Sequence, residues 1–175
     1  MGADKASVSY QGTSLAVRLL EVLGEVSTNV LVASGDGRRL VWLGAEQVAD
    51  VLPDAGPLSG LVAGLERART PLVAALAVDM PHASAEVLRL LVELWDGHDA
   101  VLPVTESGLE PLHGVYASAA APRLRREMEG GQRSLRRALQ GLDVRMVERA
   151  EWQAADPEGL FAWNLNRPED LTGPP

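Results

Sequence analysis

Cysteine is absent from the 175 residues, which excludes disulfides, thiolate metal sites and a cysteine nucleophile. Aromatic residues are nearly as scarce, at 4% against 46% hydrophobic overall. The core must therefore be built from Leu, Val and Ala, which suit helices packed on buried parallel strands better than a β-sandwich. No apolar run reaches the roughly 20 residues that a membrane span needs, and the N-terminus lacks a signal-peptide pattern. The expectation is a soluble cytoplasmic protein with no membrane partner. Positive charge is also in deficit: 16 Lys and Arg against 24 Asp and Glu leave a net charge of −8. That argues against a general nucleic-acid binder, whose affinity depends on cation density. The three histidines, His82, His98 and His113, are too scattered for a zinc site and are assigned no catalytic role.

Lysine is the most telling scarcity. Lys5 is the only one among the sixteen basic residues. An ammonium on a flexible stem neutralises phosphate oxygens as a point charge, whereas arginine favours planar bidentate partners.

The length suits one domain, taken as residues 1–172 with a frayed tail over 173–175. Thr13 or Ser14 can cap a helix carrying Leu15, Leu19, Leu20 and Leu23 and ending near Gly24. The run 29–33 reads as a buried strand, and 39–50 as a strand followed by a helical turn. Gly56-Pro57-Leu58-Ser59-Gly60 opens a helix through about Arg69. The run 72–78 is the strongest strand and leads directly into Asp79-Met80-Pro81, with Ser84 capping the next helix. Strands follow over 100–104, 112–117 and 144–148, with helices over 119–129 and 134–139 and a last helix start at Asn166 to Pro168. This alternation indicates an α/β fold of three layers, a doubly wound and mostly parallel sheet. In such sheets ligands collect at the carboxyl ends of the strands.

Asp79 stands at that edge, because it follows a buried strand immediately. A carboxylate there suits Mg²⁺, which binds through one or two carboxylates together with substrate phosphates. A capped turn before Pro81 explains Asp79 equally well. Asp50 has a weaker local case, since a loop acid is usually just solvated. The glycines around Pro57 and Ser59 permit close backbone approach to a ligand, or simply form a loop-to-helix turn. The basic cluster Arg123, Arg125, Arg126, Arg133, Arg136 and Arg137 reads either as a solvated face paired with Glu127 and Glu129 or as a dock for an anionic ligand or acidic partner.

Five segments occur in an order and spacing that resemble the molybdenum cofactor guanylyltransferase family. They are Met1-Gly-Ala-Asp-Lys5, Asp50 ahead of Gly56-Pro-Leu-Ser-Gly60, Asp79-Met-Pro81, Glu110-Pro-Leu112 and Asn164-Leu-Asn166-Arg-Pro-Glu-Asp170. The resemblance implies a Rossmann-like nucleotidyltransferase that moves GMP from GTP to molybdopterin and releases pyrophosphate. It implies that Lys5 contacts nucleotide phosphates, that Asp50 contacts GTP, that Asp79 contacts GTP and binds Mg²⁺, and that Asn164 and Asn166 lie near the substrates. Molybdoenzymes or their chaperones are the implied protein partners.

The chain also departs from the family pattern. The family's first hydrophobic strand and Gly-rich loop would precede Met1, so the expectation is either a longer natural protein or a shortened homologue lacking its first strand. In the second case a non-catalytic module that binds molybdopterin or a molybdoenzyme is the alternative function. Ala33 stands where members can carry a nucleotide-contacting asparagine, and Arg167 replaces the usual threonine.

Overall fold

The structure, a computed structural model, describes residues 5–53 and 55–174. Met1 to Asp4, which supply most of the first family segment, lie outside the described residues, as does Pro175 of the expected tail.

Lys5–Ser7 form a 3₁₀ turn, and a small hairpin of β1 (Ser9–Tyr10) and β2 (Thr13–Ser14) leads into helix α1 (Leu15–Gly24). Of the two candidate caps, Ser14 is the one used, and its Oγ accepts from the Val17 N–H. Strand β3 (Leu31–Ala33) pairs in parallel with β4 (Glu46–Val48). Between them lies a 3₁₀ turn at Val41–Leu43, so the expected order of strand and then turn in 39–50 is reversed. Leu40 explains the reversal: it is buried and packs with Ala6 and Ala16, which draws the chain inward before the strand begins. Helix α2 (Pro57–Arg67) starts with proline in its first turn, where the missing N–H costs no hydrogen bond.

The main sheet contains β5 (Leu72–Leu76), β6 (Ala100–Thr105), β7 (Gly108–Leu109), β8 (His113–Ala117) and β9 (Val144–Val147). β8 lies between β5 and β6 and runs antiparallel to both, whereas β6 and β9 are parallel. Thus β5, β6 and β9 share one direction, and the sheet is mixed. β6 turns back through β7 over Thr105–Gly108, and a connection that short can only reverse the chain. A parallel crossover would need a dozen or more residues.

Helix α3 (Ala85–Glu93) follows β5 and is capped by Ser84, as its sequence indicated. Helices α4 (Ala121–Glu129) and α5 (Leu135–Ala138) lie between β8 and β9, and α6 (Arg149–Trp152) follows β9. Two apolar clusters make three layers. On one face α2, α4 and α5 bury Leu58, Leu61, Leu65, Leu124 and Leu135 against Leu102 and Tyr116. On the other, Val87, Leu91 and Trp152 pack against Val101, Val115 and Phe161. Each fully buried leucine contributes about 1.5–3 kcal/mol by leaving water.

The β3–β4 pair forms its own sheet, with no ladder joining it to β5 among the described residues. Packing holds the two sheets as neighbours. Val32 and Val78 flank the cluster of Ala6 and Ala16, while Val51 and Leu52 share the α2 cluster with Val73 and Ala75. β5 is thus the side of the main sheet nearest Asp50.

His113 is fully buried on β8; its Nε2 accepts from the Ser84 N–H at 3.0 Å and its Nδ1 has no partner. Burial lowers its pKa to about 3 from 6.5 and holds it neutral. The unfolded chain binds a proton there that the folded chain refuses, so stability is full above pH 6.5 and declines as pH falls toward 3. His113→Gln keeps an acceptor for Ser84 but does not titrate. Urea unfolding at stepped pH is expected to show a steeper acid loss in the parent protein, by up to about 1.4 kcal/mol per pH unit.

Candidate active site

Asp79 lies beyond the carboxyl end of β5, where the chain turns through Met80 and Pro81 toward α3. Its carboxylate accepts from Lys5 Nζ at 2.9 Å, and its backbone carbonyl accepts from the Leu165 N–H at 2.7 Å. The same ammonium donates to Asn166 Oδ1 at 3.2 Å. Three segments more than 70 positions apart in sequence therefore meet around one charge pair. The Lys5 and Asp79 side chains retain 34% and 23% of their surface exposed, so both remain open to a ligand.

Neighbouring contacts hold each partner in place. Lys5 sits on a 3₁₀ turn whose Ala6 is buried against α1. The loop after Asp79 is tied down by His82, which shares a 2.9 Å hydrogen bond with the buried Tyr10 hydroxyl. Burial and the nearby Arg18 charge both lower the His82 pKa. Leu165 packs beside Tyr10 and Leu15, which fixes the strand-like segment carrying Asn166. Asp170 accepts from the Asn166 and Arg167 N–H groups at 2.7 Å, and these bonds lower its carboxyl pKa. Arg167 thus takes part through its backbone N–H, whatever its side chain.

The structure does not bring every expected residue to the charge pair. Asn164 turns its amide to the Ala162 carbonyl at 2.9 Å, and no hydrogen bond joins it to Lys5 or Asp79. Asp50 stands apart, beyond β4, with its N–H bonded to the Gly35 carbonyl at 2.8 Å. Burial raises its carboxyl pKa, opposed by a hydrogen bond from the Gly35 backbone to the carboxylate and by the Arg39 charge.

Asp50 is placed by the Gly-Pro-Leu-Ser-Gly segment. Ser59 Oγ both accepts from the Leu52 N–H and donates to the Leu52 carbonyl, at 2.8 and 2.9 Å. A Cβ at Gly60 would stand 3.1 Å from Ala33 Cβ and 3.4 Å from Asp50 Oδ1. Glycine there lets α2 close on both. The local sequence allowed either close backbone approach to a ligand or a loop-to-helix turn; the close approach seen is to the protein's own Ala33 and Asp50.

Three of the six arginines of the basic cluster make contacts within the fold. Arg123 pairs with Asp99, Arg125 with Glu66 and Glu129, and Arg133 donates to the Met128 and Gln132 carbonyls. Among the described residues no group of three or more His, Cys, Asp or Glu could hold a metal. Asp79 still fits Mg²⁺, which needs only one or two protein carboxylates when substrate phosphates supply the other ligands.

Residues 1–149 match the MobA-like NTP transferase domain. This chain belongs to that family. Among its relatives, the probable molybdenum cofactor guanylyltransferase of Methanosarcina mazei is 34% identical, over 96% of this chain and 80% of its own length. The molybdenum cofactor guanylyltransferase of Pseudomonas entomophila is 33% identical over 86% and 81%. A crystal structure of molybdopterin-guanine dinucleotide biosynthesis protein A from Archaeoglobus fulgidus superposes with a TM-score of 0.80 at 27% identity, covering 98% of this chain and 88% of that one. The 2-C-methyl-D-erythritol 4-phosphate cytidylyltransferase of Thermus thermophilus matches at a TM-score of 0.65 and 20% identity over 96% and 90%, a likeness of fold. The MobA-like chain thus has a Rossmann-like nucleotidyltransferase fold. Among the described residues no helix is long and apolar enough to cross a membrane.

A part-exposed ion pair contributes little to stability. Lys5→Met is expected to change the unfolding free energy by less than about 1 kcal/mol, as read by urea denaturation. Loss of activity in that variant would then report on the site.

Proposed function

We propose that this protein transfers GMP from GTP to molybdopterin, releasing pyrophosphate and forming the guanine dinucleotide form of the cofactor. The observation that carries the proposal is the meeting of Lys5, Asp79 and Asn166 at the carboxyl end of β5, in a chain of the guanylyltransferase family.

In the free protein Lys5 and Asp79 neutralise one another. A triphosphate entering between them gives the ammonium a new anionic partner and releases Asp79 to hold Mg²⁺. The pair therefore keeps each part-exposed side chain positioned until substrate arrives. Bound Mg²⁺ supplies neutralisation of phosphate charge. Asp50, beyond β4, is the nucleoside-side contact. Its partial burial strengthens a hydrogen bond to a donor on the nucleotide, because few waters compete for the carboxylate.

The terminal phosphate oxygen of molybdopterin attacks the α-phosphorus of GTP. One P–O bond forms as the α–β phosphoanhydride bond breaks, and the electron pair leaves with pyrophosphate. No protein nucleophile is needed, so the residues act by positioning and by stabilising charge. Lys5 stabilises the negative charge that develops on the phosphate oxygens, and Asn166, by holding the ammonium, limits its range.

Asp79→Ala is expected to lower GMP transfer at least about 100-fold, the scale of removing one charge-stabilising group, with Lys5→Met similarly affected. Transfer would be followed by pyrophosphate release with molybdopterin as acceptor, comparing GTP with CTP. Near-parental transfer by Asp79→Ala would overturn the assignment. Acceptor binding without turnover in the parent chain would assign it instead to the non-catalytic binding class.

A further inference from the structure

Glu110, the acid of the Glu110-Pro-Leu112 segment, is used by nothing in the reaction above. It is 7% exposed, with 9% of its side-chain surface open. Buried carboxylates are ordinarily satisfied by short hydrogen bonds or close ion pairs. Here the Thr105 hydroxyl, whose single proton is shared with the closer Gly108 carbonyl at 3.2 Å, lies 3.4 Å from Oε1, and Arg136 Nη2 lies 3.8 Å from the same oxygen. Both are long. Burial raises the Glu110 pKa, with Arg136 and Thr105 opposing. A costly acid with weak partners is poised for a stronger one.

Its surroundings indicate what that partner is. Thr105 ends β6, and the Glu110 N–H bonds to the Pro103 carbonyl, so the carboxylate sits at the carboxyl end of β6. β6 and β5 run in the same direction with β8 between them, so this is the sheet edge that carries Asp79. Two strand spacings of roughly 4.8 Å separate β5 from β6, a span suited to one small molecule. Asp50 lies on the opposite side of Asp79, beyond β4. Arg136 crosses the turn glycine Gly108, at φ +98°, where a Cβ would stand 3.2 Å from Nη1. The guanidinium is half exposed and has no closer acid among the described residues.

A carboxylate beside a guanidinium complements a flat edge bearing two adjacent N–H donors and a neighbouring carbonyl oxygen. That is the edge of a 2-amino-4-oxopyrimidine ring, which both pterins and guanine possess. Resting on the transferase reading, which gives the nucleotide to the Asp50 side, we infer that Glu110 and Arg136 form the subsite that recognises the pterin ring of the acceptor. Glu110 accepts from the ring N–H and the exocyclic amine, and Arg136 donates to the ring carbonyl.

The test uses the full chain with pterin-6-carboxylate as probe, followed by its own fluorescence, and GTP binding by calorimetry. Glu110→Gln keeps the shape but replaces one acceptor oxygen with a competing donor. It is expected to weaken pterin binding about 10–100-fold, as loss of a charge-assisted pair does, with GTP affinity and thermal midpoint unchanged. Arg136→Gln, at an exposed position that leaves folding intact, is expected to weaken pterin binding about 3–10-fold. Unchanged pterin affinity in both variants would overturn the inference, as would weakened GTP binding, which would mark a guanine subsite. Pterin binding that depends on Glu110 in a protein unable to transfer GMP would uphold the subsite while removing the transferase reading.

Discussion

The Lys5 to Asp79 ion pair is the interaction on which the arrangement of the site depends. Lys5 comes from the first described turn, Asp79 from the end of β5 and Asn166 from near the chain's end, and the contacts between them are 2.9 and 3.2 Å. The apolar residues beneath do the structural work. Ala6 anchors the Lys5 turn, Val78 bridges two small clusters, and Leu165 is buried between Tyr10 and Leu15. The charges can remain part exposed because they do not hold the fold. This separation of stability from chemistry suits the proposed phosphoryl-group transfer, in which the charged groups exchange partners when substrate binds.

The mixed sheet arranges the rest. Parallel β5 and β6 bring Asp79 and Glu110 to one edge, while the antiparallel β8 inserted between them sets their separation. On the far side of β5, α2 closes over β3 and β4 through Gly60 and Ser59, which places Asp50. The proposed nucleotide and pterin contacts therefore flank the phosphate centre, each held by a different pair of elements.

Much of this was legible locally. The run 72–78 leading into Asp79 announced a strand, Thr13 or Ser14 the start of α1, and Ser84 the start of α3. The helical spacing of Val87, Leu88 and Leu91 matches their complete burial. The turn and strand in 39–50 were read in the wrong order because Leu40 is drawn inward by Ala6 and Ala16, which lie far away in sequence. One reading of the arginines paired them with Glu127 and Glu129; Arg125 does pair with Glu129, but it also reaches Glu66, and Arg123 reaches Asp99, both away from their helix.

The sequence by itself determined most of the longer strands and helices, because periodicity, caps and glycine or proline breaks act over a few residues, but not the short hairpin β1–β2, β7 or α6. It also determined the family, through short motifs kept in order. Tertiary structure alone decided that β8 runs antiparallel, that Asn166 rather than Asn164 meets Lys5, and that Glu110 is buried with weak partners. Those outcomes depend on which distant surfaces pack together, and no local pattern encodes the partner of a side chain that lies far away along the chain.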